Sequence, residues 1–467
     1  MVFSSNLFLF FFVPVFFLIY FATPLRGRNV AILVASLLFY AFGSGAISWI
    51  LVASIVFNDV AAREIAVAGA PRRKGLLVAA IAINLLPLFY YKYLGFTAST
   101  LAATGMPINM DLFQGIALPI GISFFTFQAI SYLVDVYSRT VSPARTTLEF
   151  GMYHTLYPQL VAGPIVRYSE IQKEINSRHF VLENFTDGAR RFCLGLGKKV
   201  LLADSLAVVV DHVFGLPGNE LTAPVCWFAI ACFSLQIYLD FSAYSDMAIG
   251  LGRMLGFTFP ENFAQPYRAS SVTDFWRRWH MTLTRFFRDY VYVPLGGNRM
   301  GQWRTNRNLF AVFVLCGLWH GASLTFLVWG LYHGLLLSVE RLLRSVAGIY
   351  PAGFVGTVTT VFLVTLGWIP FRSPDLEYAW RFTRAVLGFG QSEFAYYPLS
   401  YYVTPANLTV FMLGMIVAFF PIERLRKLSP AGPGMRSAVL AGAFTVLLLS
   451  IVAMSAGSFR PFIYFQF

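Results

Sequence analysis

The sequence is poor in charge. Asp, Glu, Lys and Arg make up 12% of its 467 residues, against about 25% in an average globular chain. So few charged groups cannot cover a water-soluble surface of this size, and the composition also excludes disorder, collagen and coiled coil. Cysteine is scarce too. Cys193, Cys226, Cys232 and Cys316 are scattered without a C-x-x-C pair, mostly in apolar stretches. That excludes a disulfide scaffold and reads as buried core thiols. No internal repeat and no soluble segment of ordinary domain size is present. The apolar run Val2 to Tyr20 lacks a basic n-region and a clear small-x-small cleavage site before Arg26, so it reads as a span rather than a signal peptide.

What is present is apolar and basic: 57% hydrophobic residues, 17% aromatic, and a formal net charge of +13. The fold class that follows is an all-α polytopic integral membrane protein. Apolar runs between turn and charge punctuation give about a dozen spans, at 3–21, 30–43, 47–62, 76–94, 116–134, 200–214, 223–241, 309–322, 324–340, 354–371, 405–421 and 437–454. The shorter ones are expected to be tilted or broken helices lining a cavity. The chain reads as one transmembrane domain over 1–467, with N-terminal spans in 1–138, a core at about 150–345 and C-terminal spans in 354–467. Lipid bilayer, not nucleic acid, is the partner that explains the positive charge. Counting crossings from an outside N-terminus puts three basic clusters on the cytoplasmic side. They are Arg26 with Arg28, then Arg63, Arg72, Arg73 and Lys74, then Arg424, Arg426, Lys427 and Arg436.

Two long segments do not fit as spans, and both fall on that same side. Residues 139–199 carry Arg167, Lys173, Arg178, Arg190, Arg191, Lys198 and Lys199. Residues 245–307 carry Arg253, Arg268, Arg277, Arg278, Arg285, Arg288, Arg299, Arg304 and Arg307 among aromatic residues. They read either as amphipathic helices on anionic headgroups or as a funnel for an anionic cytosolic substrate, such as the phosphates of an acyl-coenzyme A. Pro158, Gln159, Gly163 and Pro164, with Arg167 behind them, suggest a non-helical re-entrant piece.

Polar groups inside an apolar bundle are costly, so function is sought there. His320, in Leu318-Trp319-His320-Gly321-Ala322, ends one apolar run just before another. A neutral imidazole at that depth is what a general base needs to take a proton from a hydroxyl, and a core histidine bonded to a neighbouring carbonyl is the bland reading. Residues 273–288 read as one helix with Trp276, Trp279, His280, Leu283 and Phe287 on one face. That would turn His280 inward, leave Arg278, Arg285 and Arg288 on another face, and pair Asp274 with Arg278. A third patch runs from Gln236 to Asp246. Asp240 would end a span and Asp246 follow a turn, each free to orient an imidazole or to pair with a cation. Other signals fail. Gly250, Gly252 and Gly256 lack dinucleotide-loop spacing, Gly195 and Gly197 before Lys198 make no P-loop, and His154, His179, His212 and His333 show no paired ligand spacing, so no metal is expected.

Motifs in order along the whole chain carry a resemblance. They are Met1-Val-Phe-Ser-Ser-Asn6, Ser123-Phe-Phe-Thr-Phe-Gln-Ala-Ile-Ser-Tyr132, Pro158-Gln-Leu-Val-Ala-Gly-Pro-Ile-Val-Arg167 and Tyr238-Leu-Asp-Phe-Ser-Ala-Tyr-Ser-Asp-Met-Ala-Ile-Gly250. Asp274-Phe-Trp-Arg-Arg-Trp-His280 through Pro294-Leu-Gly-Gly297, then Trp319-His320-Gly321 and Phe462-Ile-Tyr-Phe-Gln-Phe467, complete them. The sequence resembles the membrane-bound O-acyltransferase family, in its bacterial branch of alginate O-acetyltransferase membrane components. Ala243 departs from the Gly expected there.

The resemblance implies a helical bundle of about a dozen spans, with amphipathic and re-entrant helices around a central channel. It implies that His320 is the essential histidine and His280 the second signature position. An acetyl group would pass from a cytosolic donor such as acetyl-CoA, used as substrate with no permanently bound cofactor, to an exported polysaccharide such as alginate. Periplasmic acetyltransferase partners would complete the transfer at a bacterial inner membrane. Trp276, Arg277, Arg278, Arg285, Trp319, Asp240 and Asp246 are candidates for donor and substrate binding. D-alanyl transfer to teichoic acid, or a non-enzymatic transporter or scaffold of an export complex, are the alternatives.

Overall fold

The computed structural model describes residues 1–113, 115–348, 352–389, 396–420, 433–457 and 460–463. Arg424, Arg426 and Lys427 of the third basic cluster, the side chain of Arg436, and Tyr464 to Phe467 of the terminal motif lie outside the described residues. The described residues are helical and contain no strand, as lipid demands of a backbone that must satisfy its own hydrogen bonds. Six helical segments are long and apolar enough to cross a membrane: Leu25–Val67, Ala70–Ala103, Ala223–Met254, Leu324–Val346, Gly353–Arg372 and Ser437–Ala456. Phe8–Ala22, Ile122–Tyr137 and Pro405–Phe419 are shorter apolar helices.

The chain packs as two units, Met1–Phe192 with Met247–Pro260, and Cys193–Asp246 with Glu261–Phe467. In the first, α1 (Val13–Ala22), α2 (Arg28–Ser44), α3 (Trp49–Val67), α4 (Ala70–Leu88), α5 (Leu94–Ala103) and α6 (Ile122–Tyr137) are followed by the short helices α7 (Thr147–Thr155), α8 (Tyr157–Leu160) and α9 (Tyr168–Asn176). Several buried polar side chains here pair with one another. Asn58 and Asn84 exchange amide hydrogen bonds at 3.0 and 2.8 Å, tying α3 to α4, and buried Asp59 takes Arg63 and the Thr147 hydroxyl. Residues 161–167 are non-helical, with 161–166 buried, as the Pro/Gly pattern indicated from Gly163 on, but Pro158 and Gln159 lie in the helix α8, whose first turn tolerates proline because its N–H groups have no intrahelical partner.

The helices α10 (Leu182–Gly197) and α12 (Ala223–Met254) contribute residues to both units, and the second unit holds α11 (Asp204–Val213), α13 (Val272–Arg278), α14 (Met281–Phe287), α15 (Gln302–His320) and α16 (Leu324–Ala347). It continues through α17 (Gly353–Arg372), α18 (Leu376–Val386), α19 (Leu399–Tyr402), α20 (Pro405–Phe419) and α21 (Pro433–Ala456). The turn expected between Asp240 and Asp246 does not exist: both carboxylates sit within the uninterrupted 32-residue helix α12. Ser242, Tyr244 and Ser245 are buried and continue the helix, because packing on both sides of it outweighs their modest propensity.

The pair α15 and α16 forms a hairpin whose backbones touch. A Cβ on Gly317 would overlap the Phe326 carbonyl, and one on Gly330 would overlap the Phe313 carbonyl. Small residues are how helices in lipid gain close contact without a hydrophobic drive between them. From this hairpin, Glu340 reaches across to the start of α13, where its carboxylate accepts from the backbone N–H groups of Val272 at 2.6 Å and Thr273 at 3.2 Å. A carboxylate at a helix N-terminus satisfies orphan donors and complements the dipole. Gly330→Ala should cost about 1–3 kcal/mol through overpacking against an unyielding backbone carbonyl. The expected outcome is a lower thermal midpoint of the purified protein; an unchanged midpoint would mean that the hairpin can separate freely.

Candidate functional site

His320 is the last residue of α15 and is 4% exposed. Its ring stands edge-on to Trp319, Trp329 and Phe371, with centroids 4.9, 5.0 and 5.2 Å away. Gly321 follows in an extended conformation, and a Cβ there would collide with the Phe326 ring, which itself packs on Phe371 at 4.9 Å. The histidine is thus held in an aromatic shell in which the sequence leaves no side chain at the one point of closest approach.

His280 is also inward, 1% exposed, but not by the route expected. Residues 273–288 are not one helix. The chain breaks at Trp279, which is extended, and His280, which is left-handed at φ 42° and ψ 54°. That conformation costs a non-glycine residue about 1–2 kcal/mol. It persists because backbone pairing flanks it: Ala264 N–H donates to the Arg278 carbonyl and Met281 N–H to the Asn262 carbonyl, both at 2.9 Å. The Asn262 side chain completes the frame. Its Oδ1 lies 3.1 Å from His280 Nδ1 and accepts from the Thr282 hydroxyl at 2.9 Å and N–H at 3.3 Å, while its Nδ2 donates to Ser245 at 3.0 Å. Burial pushes the His280 imidazole down from its ordinary value of 6.5 to about 3, so the ring is neutral at physiological pH.

The structure brings the two histidines to one indole. Trp319 has its ring centroid 5.8 Å from that of His280 and 4.9 Å from that of His320. A cavity of about 540 Å³, whose lining includes neither histidine nor Trp319, is walled by Trp276, Leu283, Phe313 and Cys316, with Arg277, Arg288, Arg341 and Arg344 among its lining. Cys316 sits one helical turn before His320, so the cavity reaches to within a turn of that histidine along α15. Its arginines stand with α13, with the end of α14, and with the last turns of α16, remote in sequence from the apolar Phe313 and Cys316.

Of the candidates from sequence, Trp276 and Arg277 line this cavity. Arg278 instead pairs with Asp274 at 2.9 Å, as the spacing indicated, and donates to the Ala264 carbonyl. Arg285 is half-buried on α14 and is not part of the cavity wall. The two carboxylates of α12 are engaged by lysines. Lys199 binds Asp240 at 2.5 Å and Asp204 at 2.8 Å, and Lys198 binds Asp246 at 2.5 Å. Asp240 also accepts from the Ile463 N–H at 2.8 Å. Asn262, Glu340, Arg341 and Arg344 were not singled out from sequence. For the last three a signal existed: Leu337, Glu340, Arg341 and Arg344 continue one face of α16 at spacings of three and four. The described residues contain no cluster able to hold a metal ion.

A family model described as MBOAT, membrane-bound O-acyltransferase family, matches residues 144–353, which hold the histidines, the cavity and the Asn262 frame. The chain is 38% identical to a probable alginate O-acetylase AlgI of Pseudomonas putida over 100% of both chains. A probable alginate O-acetylase AlgI of Pseudomonas aeruginosa is 36% identical, again over 100% of each. A peptidoglycan O-acetyltransferase of Helicobacter pylori is 36% identical over 83% of this chain and 80% of its own.

The neutral, buried His280 gives a pH dependence of known sign. Between about 6.5 and about 3 the unfolded chain binds a proton at this position that the folded chain does not. Its contribution is therefore fully present above pH 6.5 and is lost as pH falls toward 3. His280→Gln should flatten the acid limb of thermal midpoint against pH relative to wild type; superimposable acid limbs would show that the ring protonates freely in the fold.

Proposed function

The chain belongs to the membrane-bound O-acyltransferase family and is an O-acyltransferase; we propose that it moves an acetyl group from a cytosolic thioester of the acetyl-coenzyme A type, through a bacterial inner membrane, to hydroxyls of an exported polysaccharide such as alginate. The observation that carries this reading is the cavity that joins four arginines to the turn of α15 below His320. Arginine suits the bidentate recognition of phosphates, and an apolar inner wall suits an acyl chain and its thioester. In this reading Arg277, Arg288, Arg341 and Arg344 hold the donor's phosphates.

His320 is the general base. Its imidazole takes the proton of the acceptor hydroxyl as the oxygen attacks the thioester carbonyl. The C–S bond then breaks, and the proton passes to the departing thiolate. His280 either orients the donor or supports the charge that develops on the carbonyl oxygen. The large aromatic side chains around both rings keep water from the thioester, which would otherwise hydrolyse. Partner proteins outside the membrane would receive the acetyl group or present the polymer, a division of labour in keeping with the relatives named as alginate and peptidoglycan O-acetylating proteins.

General-base catalysis by a positioned group is worth roughly 10²–10⁴-fold. His320→Ala, with expression and insertion checked, should therefore lose nearly all polysaccharide acetylation in cells; wild-type acetyl content would sink the assignment. In membranes, Arg288→Gln and Arg341→Gln should each raise the donor KM about 5-fold or more, the scale of one charge-assisted contact. Arg278→Gln, whose partner is Asp274, should leave it within about 2-fold. Equal effects at all three would make the arginines anchors for lipid headgroups instead.

A further inference from the structure

The proposed transfer leaves the task of His280 open between two opposite hydrogen-bonding roles, and the residues around it decide between them. The choice between them rests on that acyl-transfer reading. It begins with a donor that cannot change: the Thr282 backbone N–H faces the Asn262 side chain at 3.3 Å. Only an acceptor fits there, so the atom is Oδ1 and the amide group is turned with Nδ2 toward Ser245, to which it donates at 3.0 Å. The same Oδ1 is 3.1 Å from His280 Nδ1. An amide oxygen has no proton to give, so the imidazole must give one, and the neutral ring carries its hydrogen on Nδ1 and its lone pair on Nε2.

We propose that Asn262 is the positioning residue of His280, holding it as the Nδ1–H tautomer so that Nε2 serves as a hydrogen-bond acceptor during acyl transfer. In this state the ring receives a hydrogen bond from an N–H or O–H of the reactants and orients them. It does not donate from Nε2 to a developing oxyanion. The left-handed backbone of His280 belongs to the same device. Residue 262 holds the segment twice, by its carbonyl on the Met281 N–H and by its amide oxygen on the ring and on Thr282. Rotation of the imidazole and exchange of its tautomer are both opposed by bonds from a loop 18 residues away in sequence. The carbonyl bond is backbone and survives any substitution at 262, which separates the side chain's role from that of the loop.

The test uses the full-length protein in lipid nanodiscs, labelled with ¹⁵N-histidine, with the His280 resonances assigned by their loss in His280→Gln. Solid-state NMR should show the proton of wild-type His280 on Nδ1, and Asn262→Leu should bring up the Nε2–H form. Asn262→Leu should also lower kcat for acetyl transfer roughly 10–100-fold with donor KM within about 3-fold, the loss expected of a misplaced group. Asn262→Asp keeps an oxygen toward Nδ1 and should stay within about 3-fold of wild type. A proton on Nε2 in the wild type overturns the inference, whatever the activities. Equal losses in the leucine and aspartate variants overturn it too, since they would reduce Asn262 to a structural role. The NMR arm needs no catalysis, so a fully active His320→Ala would count against the transferase reading while leaving the tautomer standing.

Discussion

The contact on which the site depends is the touching of α15 and α16 at Gly317 and Gly330. Where two backbones meet without side chains between them, the two helices cannot shift along or about each other without a clash. His320 emerges at the far end of α15 against Trp329 of α16, and Cys316 and Phe313 face the cavity that Leu337 and Arg341 close from the other helix. Glu340 then passes this rigidity on to α13 by gripping its first N–H groups. Trp276, in the cavity wall, stands at 5.0 Å from Phe313 and 5.8 Å from Trp329, so its place is referred back to the same hairpin.

Against that rigid wall the protein sets a strained element. The left-handed turn at His280 is unfavourable in isolation and is held from outside, by residues 262–264 and by the rings of Phe241 and Trp319 at 4.6 and 5.8 Å. Strain of this kind survives only where the surroundings over-determine it, and it is found where a side chain must be aimed rather than merely buried. A continuous helix through 273–288 would have carried His280 inward as well. It would not have offered the Asn262 loop an open backbone N–H at Met281.

Much of this was readable beforehand. Span chemistry, the helical class and the burial of both histidines follow from apolar runs and from the i, i+3, i+4 pattern of Trp276, Trp279 and His280, which survives the break because two short helices meet with their apolar faces aligned. The break itself was hidden. Neither Pro nor Gly interrupts Thr273 to Arg288, and the bonds that bend the chain come from Asn262 and Ala264, outside any local window. The turn supposed near Ser242 to Ser245 was the converse error. Small polar residues resemble a turn in sequence, yet in a helix buried on both sides they simply allow close packing, and Ser245 supplies the acceptor that orients Asn262. The arginines of the cavity were half visible: Arg277 and Arg288 by the density of basic residues around them, Arg341 and Arg344 only through their spacing with Leu337 and Glu340, because they follow an apolar run and look like its ordinary basic flank.

The lysine pair before α11 carries a consequence for assembly. Asp240 is shared between Lys199 and the N–H of Ile463, and Lys199 reaches the carbonyl of Pro461 at 3.2 Å. These partners lie 223 and 262 residues apart in sequence. The cluster is therefore assembled from three separate stretches of the chain, at residues 199–204, at 240 and at 461–463. A buried charge whose partners come from so far apart ties those stretches to one another, and loss of any one of them leaves Lys199 or Asp240 short of a partner where water does not replace it.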